Sequence, residues 1–211
     1  MLEICYLDEC ESTQIYLTNL ISNGLSKPFL VYTKKQTNGI GSRENSWVGI
    51  EGNLFFSFCI AKASLPKDLQ LQSASIYFSF LFKEILASFG SNIWMKWPND
   101  LYIEFDKIGG TITNILSDYL VCGIGLNLIQ NDSGFRALDV EIDIEKVLQK
   151  YTEVVNSEIC WKEVFMKYQI EFANSKKQIC HIDGISVDIS NATLNQDGSI
   201  EINNKKVYSL R

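Results

Sequence analysis

Residues 93–128 read IWMKWPNDLYIEFDKIGGTITNILSDYLVCGIGLNL, and this stretch decides the fold. It holds four runs rich in β-branched and aromatic residues: 93–97, 101–105, 108–116 and 119–128. Turn-forming residues part them at Pro98-Asn99-Asp100, Asp106-Lys107 and Ser117-Asp118. Short strands joined by tight turns predict an antiparallel meander. Working outward, the run at 53–60 (NLFFSFCI) reads as a further strand, and the apolar stretch at 70–89, closed by Gly90, as a long helix. Residues 29–34 and 2–7 read as strands. Between them Ser12 and Thr13 offer an N-cap to a helix carrying Tyr16, Leu17, Leu20 and Ile21, with Gly24 as its stop. Two more helices are expected near 143–155 and 160–173. The pattern predicts an α+β class, a mixed, largely antiparallel sheet flanked by helices.

The tail changes character. From residue 178 short alternating strands are punctuated by Asp197-Gly198 and Asn203-Asn204, both good hairpin turns. We expect residues 1–175 to form the main domain and 178–211 a small β-barrel-like module that is stable only when docked.

Composition narrows the function. With 46% apolar and 21% charged residues the chain sits near the globular average. No apolar run reaches the roughly 18 residues of a membrane span. Met1-Leu2-Glu3-Ile4-Cys5 carries an acid where a secretory signal carries Lys or Arg, so a cytoplasmic location is expected. The six cysteines, Cys5, Cys10, Cys59, Cys122, Cys160 and Cys180, include no CxxC pair and read as free thiols. With His181 as the sole histidine, no protein-held metal site is expected. A net charge of −6 argues against nucleic acid as a partner, and the first motif begins by residue 11, leaving no room before it for a helix-turn-helix.

Three segments carry chemistry. In Gln36-Thr37-Asn38-Gly39-Ile40-Gly41-Ser42-Arg43-Glu44-Asn45-Ser46-Trp47 a GxG pair lets backbone N–H groups approach an anion, with Arg43 as a cation; the same residues also read as a plain turn. It is neither a complete dinucleotide fingerprint nor a Walker loop. Lys96-Trp97-Pro98-Asn99-Asp100-Leu101-Tyr102 reads equally as turn chemistry. Lys107, however, precedes two small residues, Gly109 and Gly110, which leave room for a ligand whose polar end meets the ammonium. In Gly123-Ile124-Gly125-Leu126-Asn127 two alternate glycines mark either a bulge or a face kept clear.

Together and in this order, these segments resemble the catalytic domain of the biotin–protein ligases. Glu11-Ser12-Thr13-Gln14 resembles the entry to that family's first helix, and 36–47 its glycine–arginine loop. Lys96 to Tyr102, Lys107-Ile108-Gly109-Gly110 and Gly123 to Asn127 resemble its next motifs, and Ser209-Leu210-Arg211 its closing Ser-Leu-Arg. The likeness spans essentially the whole chain. It departs in the loop, where Ile40, Ser42 and Asn45 stand at arginine positions of the family and Arg43 is the guanidinium left. Such a loop should release an adenylate more readily.

The resemblance implies a class II synthetase-like fold with an SH3-like C-terminal module. It implies formation of biotinyl-adenylate from biotin and ATP with Mg²⁺, then transfer to a lysine of a biotin carboxyl carrier protein of acetyl-CoA carboxylase. It implies no membrane partner and allows a homodimer. Biotin would be held by Ser12, Thr13, Gln14, Gln36, Gly39, Ile40, Gly41, Ser42, Lys107, Gly110, Gly123 and Gly125. ATP would be held by Arg43, Trp47, Lys96, Asn99, Asp100, Asn127 and Arg211, and Lys107, Asp100 and Arg43 would be the catalytic groups. Trp47 would pack on adenine, though by itself it reads equally as core. Trp94, Met95 and Trp97 read as core, with one tryptophan available to line a biotin-tail tunnel. The rivals are a lipoate–protein ligase and a non-catalytic biotin or adenylate sensor.

Overall fold

The computed structural model describes residues 2–41, 46–47, 49–130, 136–182 and 184–208. The chain begins with β1 (Glu3–Leu7), α1 (Thr13–Ser22) and β2 (Phe29–Thr33), followed by two short strands, β3 (Gly39–Ile40) and β4 (Ser46–Trp47), which pair as a hairpin. Then come β5 (Leu54–Ala61), α2 (Ala74–Ser88), the meander β6 (Trp94–Lys96), β7 (Asp100–Ile103), β8 (Asp106–Leu116) and β9 (Tyr119–Leu126), and the helices α3 (Ile144–Asn156) and α4 (Trp161–Ser175). Among the described residues the main sheet has seven strands in the order β1-β2-β5-β9-β8-β7-β6. Only the β1–β2 pair is parallel.

The strand period of two sorts side chains to opposite faces. Phe56 and Phe58 of β5 face the side covered by α2 and α3, where Tyr151 meets both rings edge-on at 5.5 and 5.7 Å. Their neighbours Ser57 and Cys59 face the other side, where Leu17 of α1 packs on Val31, Cys59 and Val121. The α2 side holds the main core; the α1 side closes over a small apolar cluster and leaves the rest of its face open for a cavity.

The meander appears as expected except at one turn. Asp106 and Lys107 lie in β8, and the chain reverses at Glu104 and Phe105 instead, with Glu104 in the left-handed region at φ 51°. A strand slip would flip every side chain to the wrong face. Asp106 and Lys107 therefore belong to the ladder, with Lys107 opposite Tyr102. The predicted helix over 70–89 starts later, at Ala74, after a single 3₁₀ turn over Leu71–Ser73.

The tail forms β10 (Ile179–Ile182), β11 (Ile185–Asp188), β12 (Thr193–Leu194), β13 (Ile200–Ile202) and β14 (Lys205–Val207). They make one two-stranded and one three-stranded antiparallel sheet. Asn203 and Asn204 are both left-handed, as a two-residue hairpin turn requires. Cys180, Ile182, Ile189, Ala192 and Ile200 join the same buried cluster as the main sheet, so the expected docking is present. All six cysteines are free thiols.

Candidate active site

A cavity of about 310 Å³ opens on the α1 side of the sheet, walled by the start of α1, strands β5, β8 and β9, and the β3–β4 hairpin. One end is neutral. Ser12 occupies the N-cap of α1 without a side-chain capping bond, and Gln36 of the loop after β2 takes over that task. Its Oε1 accepts from the Thr13 amide at 2.8 Å and from the Thr13 hydroxyl at 3.1 Å. Thr13 and Ser57 hydroxyls lie 2.9 Å apart, and Ser57 donates to Gln14 Oε1 at 3.1 Å. These four side chains are all buried. Gln14 Nε2 is left without a partner, a donor that a bound polar ring would satisfy.

The alternate glycines are a face kept clear, since the β5–β9 and β8–β9 ladders run without a register shift through both positions. A Cβ on Gly123 would sit 2.6 Å from Gln14 Oε1. One on Gly125 would meet the Trp47 indole at 3.0 Å. Trp47 thus packs on Gly125, with its Nε1 buried and unpartnered.

The other end is charged. Lys107 Nζ lies 2.6 Å from Asp100 Oδ1 and 5.7 Å from the centre of the Trp47 ring. Gly110, paired with Asp100 across β7 and β8, leaves the space beside this ion pair open. Asn99 is held to β8 at both ends: its carbonyl accepts from the Thr111 amide at 3.0 Å, and its side-chain amide donates to the Thr111 carbonyl. Asn127 lines the wall but is tied to Asn53 at 3.2 Å and to the Arg136 carbonyl. Among the described residues no group of three His, Cys, Asp or Glu side chains is placed to hold a metal.

The cavity therefore gathers Ser12, Thr13, Gln14, Gln36, Ile40, Gly41, Trp47, Asn99, Asp100, Lys107, Gly110, Gly123, Gly125 and Asn127 of the sequence-derived set. Ser42, Arg43 and Arg211 lie outside the described residues. Gly39 is not on the wall; a Cβ there would meet the Trp47 carbonyl at 2.7 Å, so its role is to let the β3–β4 hairpin close. Lys96 is also off the wall. It is buried behind Asp100, its cross-strand partner, and donates to the Tyr102 hydroxyl at 3.2 Å. Burial, reinforced by Asp100 and opposed by Lys107, pushes that phenol up to about 12. Trp94, Met95 and Trp97 do not line the cavity. Met95 and Trp97 are core as read, whereas Trp94 is not: it is half-buried, lies against Tyr102 at 5.2 Å and donates its Nε1 to the Glu104 carbonyl at 2.9 Å. Sequence reasoning did not assign Ser46, Ile50, Phe55, Ser57, Thr111, Ile112 or Ile124 to the wall they help to form. A lone serine within NLFFSFCI was the one available signal, because a polar side chain in a doubly buried strand needs a buried partner.

Fold and site define an α+β domain with a ligand-sized cleft, neutral at one end and charged at the other. Residues 6–127, more than half of the chain, match the biotin/lipoate A/B protein ligase family, and the chain belongs to that family. The bifunctional ligase/repressor BirA of Bacillus spizizenii is 28% identical over 137 residues, which are 63% of this chain and 42% of that protein. BirA of Bacillus subtilis strain 168 matches over the same shares. The chain thus aligns with less than half the length of these curated relatives. The crystal structure of biotin acetyl coenzyme A carboxylase synthetase from Helicobacter pylori with bound biotinylated ATP superposes with a TM-score of 0.94 at 38% identity, covering 99% of this chain and 100% of that one. Biotin protein ligase from Aquifex aeolicus in complex with biotin and ATP shares the fold, with a TM-score of 0.73 at 22% identity, covering 100% of this chain and 97% of that one. The mixed sheet with flanking helices is the ligase catalytic fold, and the short C-terminal strands fit a barrel-like module.

Proposed function

We propose that this protein is a biotin–protein ligase. The observation that carries the reading is the two-ended cleft: a neutral hydrogen-bonding pocket at Thr13, Gln14, Gln36 and Ser57, separated by glycine-cleared strand from the Asp100–Lys107 ion pair. A ureido ring fits the first end, offering N–H donors and a carbonyl to groups that must be paired when buried. The dithiolane ring of lipoate would leave Gln14 Nε2 unpaired, a cost that favours biotin.

In the first step the biotin carboxylate oxygen attacks the α-phosphorus of ATP, the bond to the β-phosphate oxygen breaks, and pyrophosphate leaves. In the second a lysine amine of the acceptor attacks the acyl carbon, AMP leaves and the amine loses a proton. Neither step needs an enzyme nucleophile; positioning and placed charge suffice. Lys107 lies where carboxylate and α-phosphate meet and offsets the charge that develops there. Asp100 orients that ammonium and later the incoming amine. Asn99 and Trp47 serve the nucleotide end, with Arg43 and Arg211 as further cations toward its phosphates. Lys96 acts from off the wall, as a buried side chain held on the Tyr102 hydroxyl. A Mg²⁺ ion carried by ATP phosphates would need little from the protein; Asp100 and Asn99 are the residues that would hold it, and it would neutralise phosphate charge.

The same proposal takes residues 1–175 as the catalytic domain and 178–211 as an SH3-like module. It takes the carrier domain of acetyl-CoA carboxylase as acceptor, a cytoplasmic setting, no nucleic-acid partner and either a monomer or a homodimer. No helix among the described residues is long and apolar enough to cross a membrane. The test is to mix the protein with ATP, Mg²⁺, biotin and a carrier domain and probe for biotinylated carrier, with lipoate in parallel. Biotin-dependent labelling is expected. Pyrophosphate release with lipoate alone would install the rival ligase, and retained adenylate without transfer would make the protein a sensor.

A further inference from the structure

Trp97 does not touch the cavity, yet its polar groups are tied down by the C-terminal part of the chain. Its amide donates to the Ser175 hydroxyl at the end of α4 at 2.9 Å. Its indole Nε1 donates to the Gly198 carbonyl at 2.9 Å. Its carbonyl accepts from the Cys180 thiol of β10 at 3.6 Å. The ring itself is 1% exposed.

The 195–199 turn that supplies the Gly198 carbonyl is itself firmly built. Gly198 N donates to the Asn195 carbonyl at 2.9 Å, and Asn195 N to the Ser199 carbonyl at 2.8 Å. The Asp197 carboxylate accepts from the Ser199 amide at 3.1 Å and pairs with Lys206 at 2.6 Å. The turn is wedged into the main domain. Ser73, just ahead of α2, donates to the Asp197 carbonyl, and Trp161 of α4 donates to the Gln196 carbonyl at 2.7 Å. Gly198 has φ +75°, and a Cβ there would lie 2.8 Å from Ile76 and 3.3 Å from the Trp161 ring. Only glycine combines that backbone angle with that close approach.

Asn99 and Asp100 follow Trp97 by two and three residues and face the cavity. We infer that the Asn195–Ser199 turn is a latch which, through Trp97, sets the position of Asn99 and Asp100, so that this turn governs the chemical end of the cleft without itself lining it. Trp97 and Gly198 are positioning residues here; neither touches substrate. The neutral end of the cavity is built from α1, Gln36 and β5 and shares no hydrogen bond with the latch. Loosening the latch should therefore separate rate from biotin affinity. This inference rests on the ligase reading for its kinetic arm only.

The test uses Trp97→Phe, which keeps the ring in the core and deletes the donor to Gly198, and Gly198→Ala, which strains the turn from the module side. Each is compared with wild type for biotin-dependent pyrophosphate release, biotin affinity, and hydrogen exchange at two amides. The amides are Thr111, which donates to Asn99, and Thr13, which donates to Gln36. Expected is a loss in kcat of about tenfold, since small misplacements of reacting groups are costly, with biotin Kd unchanged, Thr111 exchange faster and Thr13 exchange unaltered. Wild-type kcat in both variants overturns the latch. So does biotin affinity falling in step with kcat while both amides loosen, because that is general destabilisation. If wild type itself releases no pyrophosphate with biotin, the ligase reading fails, and the contrast between the two amides decides the latch alone.

Discussion

The two ends of the cleft are built from opposite materials. At the neutral end Thr13, Gln14, Gln36 and Ser57 are all at most 8% exposed and hold each other by hydrogen bonds between uncharged groups. At the other, Asp100 and Lys107 form an ion pair whose side chains are 27% and 41% exposed. The difference separates recognition from chemistry. A buried neutral network discriminates because a wrong ligand leaves groups unpaired. A half-open ion pair discriminates little but places charge where it is needed as bonds change.

The largest effect is expected at the charged end. Lys107→Gln should slow adenylate formation by at least about 10²-fold, a loss of roughly 3 kcal/mol of transition-state stabilisation. Pyrophosphate release under single-turnover conditions measures it. Near-normal release would mean that Lys107 is only the structural partner of Asp100, and the contrast between the ends would collapse.

At the neutral end a different kinetic parameter should move. Gln14→Leu removes the unpartnered Nε2 donor that the proposed ring would meet, together with the acceptor that Ser57 uses. Biotin Kd, read by calorimetry, should rise about fivefold to thirtyfold, in line with the loss of one or two hydrogen bonds of about 1 kcal/mol each. At saturating biotin kcat should stay near wild type, the pattern of an interaction equal in ground and transition states. A fall in kcat with Kd unchanged would place Gln14 in the chemistry instead.

The two ends also differed in how far the sequence disclosed them. Strand and helix order was legible because apolar and β-branched runs at 29–33, 54–61, 108–116 and 119–126, and the longer apolar one at 74–88, are each bounded by turn residues or glycine. The charged end was legible through its clustered motifs, with Lys107 and Asp100 brought to 2.6 Å. Ser57 was not, since its partners stand 44 and 43 residues away and no local pattern announces them. The displaced turn has a similar cause. Asp106 is the better turn former by composition, but pairing of Lys107 with Tyr102 fixes the register and pushes the reversal back to Glu104 and Phe105. Lys96 reads as a ligand from its motif; burial and the Tyr102 hydroxyl make it a charge behind the site.

Ionic strength gives the smallest and most selective test of the contrast. Added salt screens exposed charges over about 10 Å at 0.1 M and leaves buried neutral hydrogen bonds almost untouched. On the proposed reading biotin presents a carboxylate to the half-exposed Lys107, whereas an analogue with that carboxyl reduced to an alcohol would engage only the neutral end by charge-free contacts. Raising KCl about tenfold should weaken biotin roughly twofold to threefold, the scale of an exposed ion pair, and leave the alcohol within error. Equal slopes for both ligands would mean that salt acts on the fold as a whole and not on one end of the cleft. A slope for biotin that survives Lys107→Gln would move the carboxylate's cation elsewhere in the chain.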